Sequence, residues 1–159
     1  MLEFASEQAL NDAAGRAARR WRNGGIDRLG VGLRGELGVG KTSFVRAMLR
    51  GLGHAGRVPS PTYTLLEHYE FGSLTLVHLD LYRLKAPAEF ENLGLRDWLS
   101  LPRVWVLAEW PERNPGFAAA LDLTLALSAG ADERRWLVPA ARTEAGRQAL
   151  EHWLGSDIN

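Results

Sequence analysis

The sequence predicts an α/β fold with a mixed sheet, and three observations carry that prediction. A short apolar run, Leu29 to Leu33, leads straight into a glycine-rich loop and then into a helical pattern. A continuous apolar run of strand length, Val104 to Ala108, lies in the second half, as expected for a central strand covered on both faces. Helical and strand periodicities alternate along 159 residues with no linker, repeat or low-complexity segment, so residues 1–159 read as one domain.

Each element has its own signal. Ser6 is placed to cap a first helix in which Ala9, Leu10, Ala13, Ala14, Ala17, Ala18 and Trp21 recur at three- and four-residue steps, and Asn23-Gly24-Gly25 ends it. After the glycine loop, Phe44, Val45, Met48, Leu49 and Leu52 form one apolar helical face closed by Gly51 and Gly53. Tyr63 to Phe71 and Leu74 to Leu79 read as strands of a hairpin turned at Gly72-Ser73. Pro87 starts a short helix that Gly94 stops, and a second amphipathic fragment surrounds Trp98-Leu99. Leu121, Leu123, Leu125 and Leu127 alternate with Asp122, Thr124, Ala126 and Ser128, which predicts a half-exposed strand nearer the sheet edge. Gly130 to Glu133 turn it into Trp136-Leu137-Val138, and Thr143 to Leu154 reads as a closing helix with Ala149, Leu150, Trp153 and Leu154 inward.

Composition narrows the function. Hydrophobic residues make up 46% and charged residues 24%, which excludes a disordered tail or a collagen-like rod. The absence of cysteine rules out disulfides and thiolate metal sites. The start of the chain carries Glu3 and Glu7 where a signal peptide needs basic residues, and no apolar run approaches the roughly 20 residues of a membrane span, so a cytoplasmic protein is expected. Formal net charge is zero, and Lys41 and Lys85 are the only lysines. A strong independent grip on nucleic acid draws on a basic excess, so direct high-affinity RNA binding by this chain alone is disfavoured.

The chemistry begins at Gly35-Glu36-Leu37-Gly38-Val39-Gly40-Lys41-Thr42, which fits the phosphate-loop pattern G-x-x-x-x-G-K-[ST] in full. Glycines let the main chain approach closely enough for its N–H groups to ring phosphates. Lys41 supplies a point charge for the β- and γ-phosphates, the helix N-terminus adds partial positive charge, and the Thr42 hydroxyl is placed to ligate magnesium. The motif therefore predicts ATP and Mg2+ as ligands, with Glu36, Leu37, Gly38, Val39, Gly40, Lys41, Thr42 and Ser43 around the nucleotide.

Such a loop needs acids elsewhere, to orient the metal and to position a water. Asp80 and Glu109 each end an apolar strand, where ligands of α/β sheets gather. Pro59-Ser60-Pro61-Thr62-Tyr63-Thr64 reads equally as a hydroxyl-bearing switch loop or a polar turn before a strand. Arg83, Arg113 and Arg135 are candidate phosphate partners, and His54, His68, His78 and His152 show no metal-ligand spacing.

Gly38-Val39-Gly40-Lys41-Thr42, Ser60-Pro61-Thr62-Tyr63-Thr64-Leu65, His78-Leu79-Asp80-Leu81-Tyr82-Arg83-Leu84 and Glu109-Trp110-Pro111-Glu112 together resemble the TsaE (YjeE) family, over about residues 30–146. That resemblance implies a three-layer P-loop NTPase-like fold, with a mixed, mainly parallel central sheet and helices on both faces. It implies an ATPase, weak alone, that works with the TsaD and TsaB proteins, and with TsaC upstream, to place threonylcarbamoyl on the adenosine beside the anticodon of tRNAs reading A-starting codons. The tRNA is then met only through the complex, and no membrane is involved. By the same likeness Lys41 and Thr42 hold phosphate and magnesium, Glu109 is the second magnesium ligand, and Asp80 is an acid needed for hydrolysis. Thr62 matches the switch-like loop, Trp110 joins the Glu109 cluster, and Arg135, with Arg134 beside it, matches an arginine near the nucleotide.

A small-molecule kinase is the alternative from another class, but it needs an arginine-rich lid, and residues 85–100 hold only Lys85 and Arg96. A regulatory GTPase is disfavoured because neither lysine sits in an Asn-Lys-x-Asp signature. A nucleotide-dependent binding module, whose turnover resets a complex, is compatible with the resemblance.

Overall fold

The computed structural model of the chain describes residues 1–61 and 63–155. In chain order these form β1 (Leu2–Phe4), α1 (Glu7–Asn23), β2 (Arg28–Arg34), α2 (Lys41–Gly51), β3 (Leu66–Phe71), β4 (Leu74–Asp80), α3 (Pro87–Glu91), α4 (Leu95–Leu99), β5 (Val104–Glu109), a 3-10 turn (Pro111–Arg113), α5 (Pro115–Ala120), β6 (Leu123–Ala129), β7 (Arg135–Ala141) and α6 (Glu144–Leu154). The helix starts follow capping chemistry. The Ser6 hydroxyl accepts from Ala9 N at 3.2 Å, Thr143 from Gly146 N at 3.2 Å, and the Asn114 side chain from Phe117 N at 3.1 Å.

The seven strands form one sheet in the order β1-β7-β6-β2-β5-β4-β3. β6, β2, β5 and β4 are parallel, β3 and β7 run antiparallel to their neighbours, and β1 pairs antiparallel to β7. The sheet is therefore mixed and mainly parallel. Its central strands carry side chains for two covered faces, and every residue of β4 and β5 is buried.

Alternation along the strands sorts the core into two layers. Leu29, Val31 and Leu33 of β2, Leu74 and Leu76 of β4, and Trp105 and Leu107 of β5 pack with Trp21, Phe44, Met48 and Trp153 from α1, α2 and α6. Val77, Leu79, Val104, Val106 and Ala108 pack on the other face with Leu95, Phe90, Trp98 and Phe117 from α3, α4 and α5. Helices on both faces of the sheet make the three-layer arrangement.

Three details depart from the sequence expectation. β3 starts at Leu66, because the residues before it close a turn in which Leu65 N donates to Pro61 O at 2.9 Å and Leu65 adopts φ +61°. β6 is an interior strand, paired with β2 on one side and β7 on the other, and Thr124 is buried. Leu121 and Pro111 lie over Gly32, the residue beside Thr124, so this face is covered despite its polar alternation. The edge positions belong to β1 and β3, and neither β1 nor α5 was signalled, being three and six residues long.

Candidate active site

The loop between β2 and α2 is built where only glycine fits. Gly35 has φ +141°, and a Cβ there would lie 2.5 Å from the carbonyl oxygen of Leu127. Gly40, the residue before α2, has φ +108° and carries no side chain to cap the helix, so the first N–H groups of α2 face outward at the loop. Lys41 bends back over the loop. Its Nζ donates to Gly35 O at 2.6 Å and Glu36 O at 2.7 Å and sits 4.3 Å from the centre of the Trp110 ring.

Parallel register brings the acids to the same place. Asp80 at the end of β4 lies beside Glu109 at the end of β5. By strand alternation both share a face with Leu76 and Leu107, the face that α2 covers. The Thr42 hydroxyl lies 2.7 Å from Oε1 and 2.9 Å from Oε2 of Glu109, and His78 Nε2 lies 2.8 Å from Oε1. Asp80 Oδ1 accepts from Tyr82 N at 3.1 Å. Trp110, next to Glu109, holds φ +56°, a backbone strain of the kind that collects at functional sites.

Burial sets the ionisation tendencies. It pushes the Asp80 carboxyl above the usual aspartate range, against the Tyr82 N–H bond, and the neighbouring Glu109 charge adds to the rise. It also lowers the Lys41 ammonium below its ordinary value, while the Glu109, Asp80 and Glu112 charges work the other way.

These groups enclose a cavity of about 380 Å³. Leu37, Gly38, Gly40, Lys41, Thr42, Ser43, Asp80 and Glu109 line it, joined by Trp110 and Ser60. Glu36 contributes its carbonyl to Lys41, whereas Val39 turns inward to the core. Arg135 is not in the cavity wall; it pairs at 3.3 Å with Glu7, which is. Arg134 pairs with Asp132 and Glu3 instead. Thr62 lies outside the described residues.

Sequence reasoning passed over His78, because it looked only for metal-ligand spacing between histidines. A histidine two residues before a strand-end acid shares that acid's face, and this parity was the available signal. It also passed over Glu7, the first residue of α1, for which no local pattern exists.

A three-layer α/β protein with a mixed, mainly parallel seven-stranded sheet, whose glycine loop carries a lysine and a hydroxyl to two strand-end acids, has the P-loop NTPase-like fold. The family model for the threonylcarbamoyl adenosine biosynthesis protein TsaE matches residues 4–137, and the chain belongs to that family. The TsaE protein of Haemophilus influenzae is 39% identical over 120 residues, spanning 76% of this chain and 75% of the relative. That of Treponema pallidum is 38% identical over 110 residues, or 69% and 80% of the two chains. The crystal structure of Bacillus subtilis YdiB shares the fold at a TM-score of 0.75, covering 99% of this chain and 95% of that one at 22% identity. The chain is thus a member of a family involved in tRNA threonylcarbamoyladenosine biosynthesis. Among the described residues no helix is long and apolar enough to cross a membrane.

Proposed function

We propose that the chain is the ATP-hydrolysing component of this biosynthesis, binding ATP with magnesium in the 380 Å³ cavity and acting in the cytoplasm with the TsaB–TsaD complex, with TsaC upstream and tRNA met only through the complex. One observation carries the reading: the Thr42 hydroxyl, Glu109 carboxylate and Lys41 ammonium converge at the N-terminus of α2. Magnesium favours few protein oxygens plus phosphates and water, and a hydroxyl beside a carboxylate fits that donor set. When bound, the metal supplies positive charge at the phosphates undergoing transfer.

The chain's own residues do the rest. Backbone N–H groups of the loop and α2 hold the phosphates, and Lys41 exchanges its loop carbonyls for phosphate oxygens. Asp80, whose carboxyl burial holds above the usual aspartate range, accepts a proton from the attacking water as its oxygen bonds to phosphorus and ADP leaves. The Trp110 ring faces the Lys41 ammonium at 4.3 Å and helps to hold that charge at the loop. Family membership in a tRNA modification route weighs against the small-molecule kinase alternative.

Lys41→Ala abolishes ATP hydrolysis, and Glu109→Ala lowers magnesium-dependent turnover by about 10²-fold or more while nucleotide binding falls less. Purified variants assayed for phosphate release and for ADP binding by calorimetry test both. Unchanged hydrolysis in Lys41→Ala sinks the assignment. Capture of TsaB–TsaD that depends on ATP tests the partnership separately.

A further inference from the structure

We propose that His78 is a positioning residue for the magnesium side of the site: its Nε2–H holds Oε1 of Glu109 so that the carboxylate stays turned toward Thr42. The inference rests on the ATP–magnesium reading above and adds a residue to it.

His78 is fully buried in β4, on the same face as Leu74 and Leu76, between an apolar core and Asp80. A leucine there would continue the core and bring no polar group to satisfy. Instead an imidazole is present whose Nδ1 is buried without a hydrogen-bond partner, so its polar cost is only half met. Its one bond is the 2.8 Å contact to Glu109 Oε1. An ionised carboxylate only accepts, so the histidine donates from Nε2 and leaves Nδ1 as a bare lone pair. An orphaned nitrogen alongside a short bond to the metal-side carboxylate is the arrangement of a group retained for what it does to Glu109.

The consequence for Glu109 is geometric. Its side chain has three rotatable bonds and reaches Thr42 through both oxygens, at 2.7 and 2.9 Å. On the same cavity wall Lys41 attracts its charge and Asp80 repels it. A donor fixed in a buried strand removes that freedom before nucleotide arrives. Groups that orient a ligating carboxylate typically change metal affinity by about 10- to 100-fold when removed.

The test compares His78→Leu and His78→Gln, since the glutamine amide reaches the position of Nε2 and restores a donor there. ADP binding is measured by calorimetry in EDTA and across a magnesium titration. Expected is unchanged ADP affinity without metal in both variants, a magnesium requirement raised about 10- to 100-fold in His78→Leu, and substantial recovery in His78→Gln. An unchanged magnesium requirement in His78→Leu overturns the proposal, as do equal losses with and without metal, which mark a merely structural role. If the leucine variant fails to fold, 15N-histidine spectra of the unaltered protein decide. Magnesium added to the ADP complex shifts the His78 Nε2 resonance under the proposal, and a resonance that stays still overturns it. A chain that binds no ADP at all with His78 intact would sink the nucleotide reading instead, which keeps the two failures distinct.

Discussion

The same face of the sheet is an apolar stack at one end and a cluster of buried charge at the other. Near the strand starts, Trp21 meets Trp105 edge-on at 5.7 Å and Trp153 at 6.2 Å, and its indole N–H donates to Ala149 O at 2.7 Å. Near the strand ends, His78, Asp80 and Glu109, with Lys41 from the start of α2 beside them, are at 9% exposure or less. The first arrangement gains from every buried atom, and the second costs desolvation that its hydrogen bonds only partly offset. The apolar end therefore supplies the stability that allows the polar end to remain buried and charged.

Breaking the apolar end has the largest effect. Trp21→Ala removes two edge-on ring contacts and a buried hydrogen bond, and stability measured by urea unfolding falls by about 3–5 kcal/mol. If the polar end contributed most of the stability, this loss would be far smaller.

Gly51→Ala comes next and probes how α2 is held against α1. A Cβ at Gly51 would lie 2.5 Å from Gly15 O and 2.8 Å from Gly15 Cα, which are backbone atoms that cannot rotate away. The helix-propensity gain of about 1 kcal/mol is outweighed, and a net loss of about 1–3 kcal/mol follows. At Gly15 the nearest atom to an added Cβ is Ala47 O at 3.3 Å, so Gly15→Ala costs much less. Equal losses in thermal unfolding of the two variants would show that helix spacing yields more readily than these contacts imply.

The two ends also differed in how legible they were in the sequence. The tryptophans and the small-residue face of α1 announced themselves by periodicity, and the loop Gly35–Thr42 by its spacing, because both are local patterns. Asp80 and Glu109 were found as strand-end acids for the same reason. That Thr42 and Glu109 meet came only through the family resemblance, and what stayed hidden was lateral: that β4 and β5 are neighbours in parallel register, and that His78 is the acid's second donor. Those facts depend on strand order, which no single segment encodes. β6 was misplaced toward the edge on similar grounds, since polar alternation records side-chain chemistry and not what Leu121 and Pro111 do above it.

The smallest effect, and the one of opposite sign, belongs to Asp80→Asn. Burial raises the Asp80 pKa above its unfolded value, so as pH climbs the unfolded chain gives up this proton first. Through the window from the ordinary aspartate range up to the raised value, the folded state binds more protons, and its stability declines with pH. Above that window the penalty is constant. Asparagine keeps an oxygen for the Tyr82 N–H and carries no charge to bury, so the variant is modestly more stable than the aspartate form at neutral pH, and the gain shrinks to nothing as pH falls below the window. Loss of attraction to Lys41 opposes the gain and keeps it small. Urea unfolding at pH 7.5 and at pH 3.5, paired with a phosphate-release assay in which the variant is inactive, reads both consequences. A variant less stable at neutral pH would mean that Asp80 is held by its neighbours more than it is penalised by burial, and the contrast between the two ends of the sheet would lose its energetic basis.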